Sequence, residues 1–444
     1  MKNVVTLHTQ WLKFSYLEVI QTTLSFLMIP TLTVFYVKLI ATFGSSIGVF
    51  LIVFYKKILQ NLEQKFGSKT LLLLTITLLR FVPFCIIYFV LLQEPRGDVP
   101  FFWYKVKAVL NGGLVYKDFW SYHAPLFSYI ITLPVLFWHS SKSIVLFMML
   151  VEATIVFQTY IYYKKSQSDT LLKTILYLVL SAPMIMVLLG GQEDIWFWGL
   201  ALIMLFYLQN NKKEGFILGT IYASGLVFIK ATLVFWLLPL LVFIKNKRDF
   251  LLGITVVGVP TLVVMYALVG MLFLMPIQHT SSPMSPNLFS ICMPFFGLFS
   301  KLENYKIINW IGLVMSIGLS FLLSFKVRNK PLRTLLPLCF IWTFASINLF
   351  QISAMGYYAF VYFLPFIFEV IDLKLKRDLS FLLAFNLLLV VEPFVYTYLQ
   401  NPLFTSFAEV VKSPLYFLQY LLQIFNVFGF VWVIYKTYQK ATTA

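Results

Sequence analysis

Apolar runs of membrane-spanning length recur along this 444-residue chain, and the short connections between them carry much of its charge. A helix crossing a bilayer needs roughly 20 apolar residues. Runs near that length cover 71–92, 144–163, 174–189, 195–209, 215–229, 231–244, 250–275, 307–325, 334–350, 359–373, 379–396 and 415–435. The region 19–55 adds one span or two, because Lys38 interrupts it. Backbone groups in hydrocarbon must be satisfied within their own segment, so such runs read as helices. Composition agrees, with 60% of residues hydrophobic and 11% charged, more apolar surface than a soluble core absorbs. The expected fold is all-α, a polytopic transmembrane helical bundle of about thirteen or fourteen spans.

The net charge of +17 does not indicate a nucleic-acid partner, because the basic residues fall in short clusters between apolar runs. Such clusters report orientation. They lie at 56–69, 164–173, 212–213, 245–248, 326–333, 374–377 and 436–440, and the positive-inside rule assigns these connections to the cytoplasm. The opposite set, 93–143, 190–194, the turn at Lys230, 276–306, 351–358 and 397–414, then faces outward. Parity also decides Ala124–Trp138. As a full span it would put Lys164 and Lys165 outside, and its prolines, Pro125 and Pro134, suit a juxtamembrane or re-entrant helix. The chain divides into an N-terminal hydrophobic region and basic loop (1–70), a core (71–373) with the long outer loop 93–143, and C-terminal helices (374–444). Cys85, Cys292 and Cys339 show neither a disulfide framework nor metal-ligand spacing.

The outer loop holds the richest chemistry. Asp98 precedes Val99 and Pro100 and an apolar stretch with Lys105, ending at Asn111-Gly112-Gly113. An interfacial helix starting at Asp98 follows, with the carboxylate as its N-cap on the simplest reading. Other outward polar groups sit where short loops meet helix ends: Gln192, Glu193 and Asp194 after Gly190-Gly191, Lys230 in a tight turn, His279 and Asn287 in 276–306, and Tyr357 and Tyr358 in 351–358. Together they suggest a polar cavity under an outer lid. Lys230 has no acidic neighbour in sequence, so it either snorkels to the headgroups or meets an anion such as phosphate. His123 and His139 bracket the juxtamembrane helix as interfacial residues. Glu152, Glu369 and Glu392 fall inside apolar runs, where a carboxylate is costly, and the sequence shows no partner for any of them. No metal site is expected, since adjacent Glu193 and Asp194 do not form a chelate by themselves, and a divalent cation is left open.

Read in order, Asp98 with Tyr104, Gly112 to Phe119 with Tyr116 and Asp118, and Pro125 to Ile130 resemble the first outer loop of the C-type (GT-C) membrane glycosyltransferases. Gly191-Gln192-x-Asp194, Lys230 ahead of Leu238 to Leu241, and Gly356-Tyr357-Tyr358 ahead of Leu364-Pro365 extend the resemblance, to the mannosyltransferase-like branch, over most of 71–373. A single Pro125 stands where many relatives have a pair. The resemblance implies a GT-C-like bundle and an inverting transfer of a sugar from a polyprenyl-phosphate donor to a glycan, glycolipid or glycoprotein acceptor. It makes Asp98 the general base, and on this reading Lys230, Arg96 and Lys105 stabilise the donor phosphate. Tyr104, Asp118, Gln192, Glu193, Asp194, His279, Asn287, Tyr357 and Tyr358 become substrate-binding candidates. The expected location is a cell membrane with the site extracellular, or lumenal in an endoplasmic reticulum. The rivals are a transporter or lipid-linked sugar flippase, using Glu152, Glu369 and Glu392 as relay groups, and an oligosaccharide ligase with a larger donor.

Overall fold

The computed structural model describes residues 31–210, 215–278 and 282–443. The start of the 19–55 run, the Lys212-Lys213 cluster and His279 lie outside them. The described residues are helical, with no strand and one isolated bridge between Val115 and Phe119. In chain order the main helices are α1 (Thr31–Phe54), α2 (Lys56–Phe66), α3 (Ser68–Val90), α4 (Val99–Leu110), α5 (Ser141–Tyr163), α6 (Thr170–Val179), α7 (Ser181–Leu188), α8 (Trp196–Asn210), α9 (Phe216–Phe228), α10 (Val234–Phe243), α11 (Lys247–Val269), α12 (Tyr305–Lys326), α13 (Leu332–Phe350), α14 (Phe360–Glu369), α15 (Lys376–Tyr398) and α16 (Pro414–Thr443).

Seven of these are long and apolar enough to cross a membrane: α3, α5, α11 with its continuation to Ile277, α12, α13, α15 and α16. The number rises to nine if two bent pairs each count as one span. These are Lys38–Phe54 with α2, bent by 77°, and α6 with α7, bent by 58°. The protein is therefore a multi-pass helical membrane protein. Among the described residues, length alone supports seven to nine spans where the apolar runs of the sequence suggest thirteen or fourteen. The difference lies in α8, α9, α10 and α14, which run for 15, 13, 10 and 10 residues. An apolar run marks exclusion from water, and neighbouring helices supply that as well as lipid does; every residue from Phe360 to Phe368 in α14 is buried.

Helix α13 is the centre of the bundle, 89% buried over its apolar window, and packs against α12, α14 and α16. At the rim, only 11% of the window in α11 is buried and 22% in α3. Contact between α9 and α11 is backbone to backbone. A Cβ on Gly219 would fall 1.9 Å from the Phe250 carbonyl oxygen, and one on Gly253 2.0 Å from that of Phe216.

The carboxylates within apolar runs have partners that local sequence does not reveal. Arg80, in a π-helical turn of α3, grips Glu152 with two hydrogen bonds of 2.7 and 2.9 Å, and Tyr177 donates to Glu152 at 3.1 Å. The same guanidinium donates to the Leu178 carbonyl at 3.0 Å, next to the break between α6 and α7. Beyond the break, Asn386 accepts from the Ala182 N–H at 2.9 Å. Backbone groups freed by the bend are thus satisfied from other helices, as a bilayer interior demands. Glu369 accepts from the Tyr163 hydroxyl, and Glu392 from Gln419 at 2.8 Å.

The proline-bearing segment 124–138 forms two short helices, Phe127–Ile130 and Leu133–Phe137, too short to cross. Leu136 and Phe137 stand 64% and 92% exposed, as an apolar juxtamembrane edge would.

Candidate functional site

Two glycine turns set the position of Asp98. Gly97 and Gly191 both have positive φ, 62° and 60°. A Cβ on Gly97 would lie 2.8 Å from the Gly190 Cα, and one on Gly191 2.4 Å from a Val99 methyl, so only glycine permits both the dihedral and the approach. The Asp98 N–H reaches the Gly190 carbonyl at 3.3 Å, and the Gln192 amide donates to Asp98 Oδ2 at 2.8 Å. Helix α4 begins at Val99 with Pro100 in its first turn and ends before Asn111, as the sequence suggests. The capping role does not hold, because the Asp98 carboxylate makes no cap hydrogen bond. It is turned across to Gln192.

A second junction brings Lys230 to the same place. Residues 124 and 126 donate their backbone N–H groups to Ile229 and Val227 at 3.1 Å each, tying the loop 93–143 to the end of α9. Lys230 Nζ there pairs with Asp194 Oδ1 at 3.0 Å and with Glu193 Oε1. Of the two alternatives raised for Lys230, snorkelling is corrected. It does not snorkel, being 9% exposed, and its anionic partners are two carboxylates of this chain.

Glu193 also joins His123, whose Nε2 lies 2.8 Å from Oε1, while Nδ1 lies 3.0 Å from Lys105 Nζ. His123 is fully buried and stacked on Phe127 at 3.9 Å, so it is no interfacial residue. The geometry assigns its tautomer. Ionised Glu193 accepts from Nε2–H, which leaves the Nδ1 lone pair to accept from Lys105. The Lys105 ammonium position is enclosed by the rings of Phe101 at 4.3 Å and Tyr122 at 4.5 Å, and Lys230 lies 5.8 Å from both Tyr122 and Tyr358.

Burial and charge divide the acids. Burial raises the Asp98 carboxyl above its usual range, and nearby Glu193 adds to the shift. Burial likewise lifts Asp194 to about 6, with Glu193 pushing the same way against the pull of Lys230. Glu193 goes the other way: burial opposes its ionisation, but Lys230 and His123 together hold it low. Burial lowers Lys105 well below the ordinary lysine range and, with Lys105 beside it, lowers His123. Lys230 is held charged by Asp194 and Glu193 despite its burial. The cluster therefore holds Glu193 ionised against Lys230, while burial raises the proton affinity of the Asp98 and Asp194 carboxyls beside it.

Three oxygens of this cluster are buried and accept no hydrogen bond: Gln192 Oε1, Glu193 Oε2 and Asp194 Oδ2. They call for a donor. Tyr357 and Tyr358 form the adjoining wall, near enough to Asp98 and Asp194 to feel their charge. Arg96 is half-buried two residues before Asp98 and pairs with no carboxylate among the described residues.

Other expected members lie elsewhere. Asp118 is exposed and accepts from the Leu114 N–H at 2.8 Å, closing its own turn. Tyr104 packs in a separate apolar cluster with Val115, Met265 and Val269. Asn287 caps the Leu288–Cys292 helix and donates to the carbonyls of Met284 and Ile352 at 2.8 and 3.1 Å, a structural use. Conversely, His123, read from the sequence as interfacial, is central, and so is Tyr122, which the sequence does not single out; nothing in the local sequence separates a buried His123 from an interfacial one. Among the described residues no group of three or more His, Cys, Asp or Glu could hold a metal ion.

Against protein-family models, curated proteins and solved structures, the chain matches none. The likeness to GT-C enzymes thus rests on the order of the motifs.

Proposed function

We propose that the protein is an integral-membrane inverting glycosyltransferase of GT-C-like architecture, moving a sugar from a polyprenyl-phosphate donor to a glycan, glycolipid or glycoprotein acceptor with Asp98 as general base. The observation that carries this reading is the Asp98 carboxylate. It is half-buried, held by Gln192 through one oxygen, and carries no permanent counter-ion. Its raised affinity for a proton suits a group that must take one from a hydroxyl and later release it.

The acceptor hydroxyl attacks the anomeric carbon as its proton passes to Asp98. The bond from that carbon to the phosphate oxygen breaks on the opposite face, and polyprenyl phosphate leaves with the electron pair. That leaving group needs no proton, so a single carboxylate suffices, unlike the paired acids of hydrolysis. The unpaired oxygens of Gln192, Glu193 and Asp194 suit the hydroxyls of the donor sugar. Lys230 serves as their internal counter-ion, since its charge is already shared by two carboxylates. Lys105 is spent on His123 and its aromatic enclosure. The phosphate role falls to Arg96, whose planar fork is not committed to an acid. The transporter reading is weakened because Glu152 and Glu369 are engaged by Arg80 and Tyr163.

The test supplies purified protein in nanodiscs with polyprenyl-phosphate-linked sugars and a glycolipid acceptor. Release of polyprenyl phosphate that disappears in Asp98→Asn supports the reading. With the same protein reconstituted in sealed vesicles, accumulation of unmodified substrate inside would favour transport instead.

A further inference from the structure

Behind the Tyr357–Tyr358 turn lies a second polar region that the proposed chemistry does not use. Glu392, 1% exposed, meets Gln419 at 2.8 Å. On its other side, a Cβ on Gly356 would fall 3.1 Å from Glu392 Oε2 and 3.1 Å from the Pro286 ring, so this carboxylate lies against the floor of the turn that carries Tyr357 and Tyr358. Ser285 and Gln351 flank the same junction, where the Met284 N–H is bonded to the Ile352 carbonyl at 2.8 Å. From Gln419, Gln423 and Asn426 continue along α16 at i+4 and i+7, one helix face extending roughly 10 Å at 1.5 Å per residue.

The chemistry of these side chains is specific. Gln419, Gln423, Asn426, Gln351 and Ser285 are at most 4% exposed. Each leaves an atom without a hydrogen bond: Gln419 Oε1, Gln423 Nε2, Asn426 Oδ1, Gln351 Nε2 and Ser285 Oγ. Inside a bilayer protein such groups are costly unless ordered water or a ligand engages them, and a run of them along one helix face favours a ligand with several hydroxyls. Donors and acceptors are mixed, which disfavours a bare cation, and the unpaired carbonyl oxygens of Gln419 and Asn426 disfavour an anion. A neutral ligand whose groups both donate and accept remains, and that describes sugar hydroxyls.

We propose that Glu392, Gln351, Ser285 and the Gln419–Gln423–Asn426 face of α16 form a binding subsite for a neutral saccharide, separated from the Asp98 site by the Gly356–Tyr358 turn. Naming that saccharide as the acceptor rests on the glycosyl-transfer reading; its binding does not. The experiment measures thermal shifts of the purified protein in nanodiscs with a panel of neutral mono- and disaccharides, with sodium, potassium and ammonium chlorides as controls. At least one sugar raises Tm saturably, and Gln423→Leu and Asn426→Leu each weaken the apparent affinity about tenfold, the loss of one or two hydrogen bonds. Without sugar, both variants match or exceed the parent Tm, because leucine replaces an unsatisfied buried amide. No shift with any sugar overturns the proposal. So does a shift that survives both substitutions, or a Tm lowered by them with sugar affinity unchanged, the mark of a water-filled structural seam. Sugar binding lost in both variants while no donor supports transfer leaves the subsite standing and removes the transferase reading.

Discussion

Asp98 and Lys230 sit in one cluster but answer to different tests, because one is placed to react and the other to neutralise. Asp98→Asn keeps an oxygen for the Gln192 amide, so Tm should be unchanged while transfer falls by about 10²- to 10⁴-fold, the span of a lost general base. The base acts when ionised, and burial and Glu193 raise its proton affinity. Turnover should therefore rise with pH along a limb above the ordinary Asp value of about 4. A limb at that ordinary value in the rate profile would count against Asp98 as the titrating base. Lys230→Met leaves Glu193 and Asp194 buried without their cation, which should cost about 3–5 kcal/mol in denaturation measurements. Adding Glu193→Gln and Asp194→Asn should restore much of it. An unaltered Tm in Lys230→Met would instead return the lysine to an external anion.

Helix contacts give sharper expectations than helix propensities here. The Arg80–Glu152 pair is buried on both sides, and it also holds the carbonyl next to the α6–α7 break. Arg80→Leu alone should destabilise by about 3–5 kcal/mol, while Arg80→Leu with Glu152→Leu should recover part of that, since an apolar pair replaces a buried ion pair. Between α9 and α11 the backbones touch at Gly219 and Gly253. Gly253→Ala should cost about 1–3 kcal/mol through forced separation of the helices, read as a lower Tm. The positions of these helices were legible in the apolar runs, and Asn111-Gly112-Gly113 marked the end of α4. Ser181 and Pro183 mark the break near Leu180 locally, but the apolar run 174–189 passes over it, and the groups that stabilise it, Arg80 and Asn386, belong to other helices.

Across the molecule, apolar side chains cover the rim as well as the core, and polar ones are admitted inside. The exposed rim of α11 carries Val256, Val259, Leu262 and Val263, whereas central α13 buries Thr343, Ser346 and Asn348. α2 turns 77° off the preceding helix with Ile58 and Leu62 exposed beside Lys56, Lys57 and Lys65, an arrangement suited to a bilayer surface. If the basic clusters mark one side, single cysteines at Lys65 and Lys117 should label with an impermeant thiol reagent from opposite faces of sealed vesicles. Labelling of both from one face would refute the orientation. Fold class, membrane residence and the extent of the long loop 93–143 follow from the order of residues, because hydrocarbon selects apolar helical runs whatever surrounds them. Which run crosses and which is merely buried depends on neighbours, and so does the partner of each charge. Lys230 meets Asp194 across 36 positions, and His123 meets Glu193 across 70. Local sequence carries no trace of such pairings, since electrostatic partnership is decided by distance in space, and only packing of the helices sets that distance.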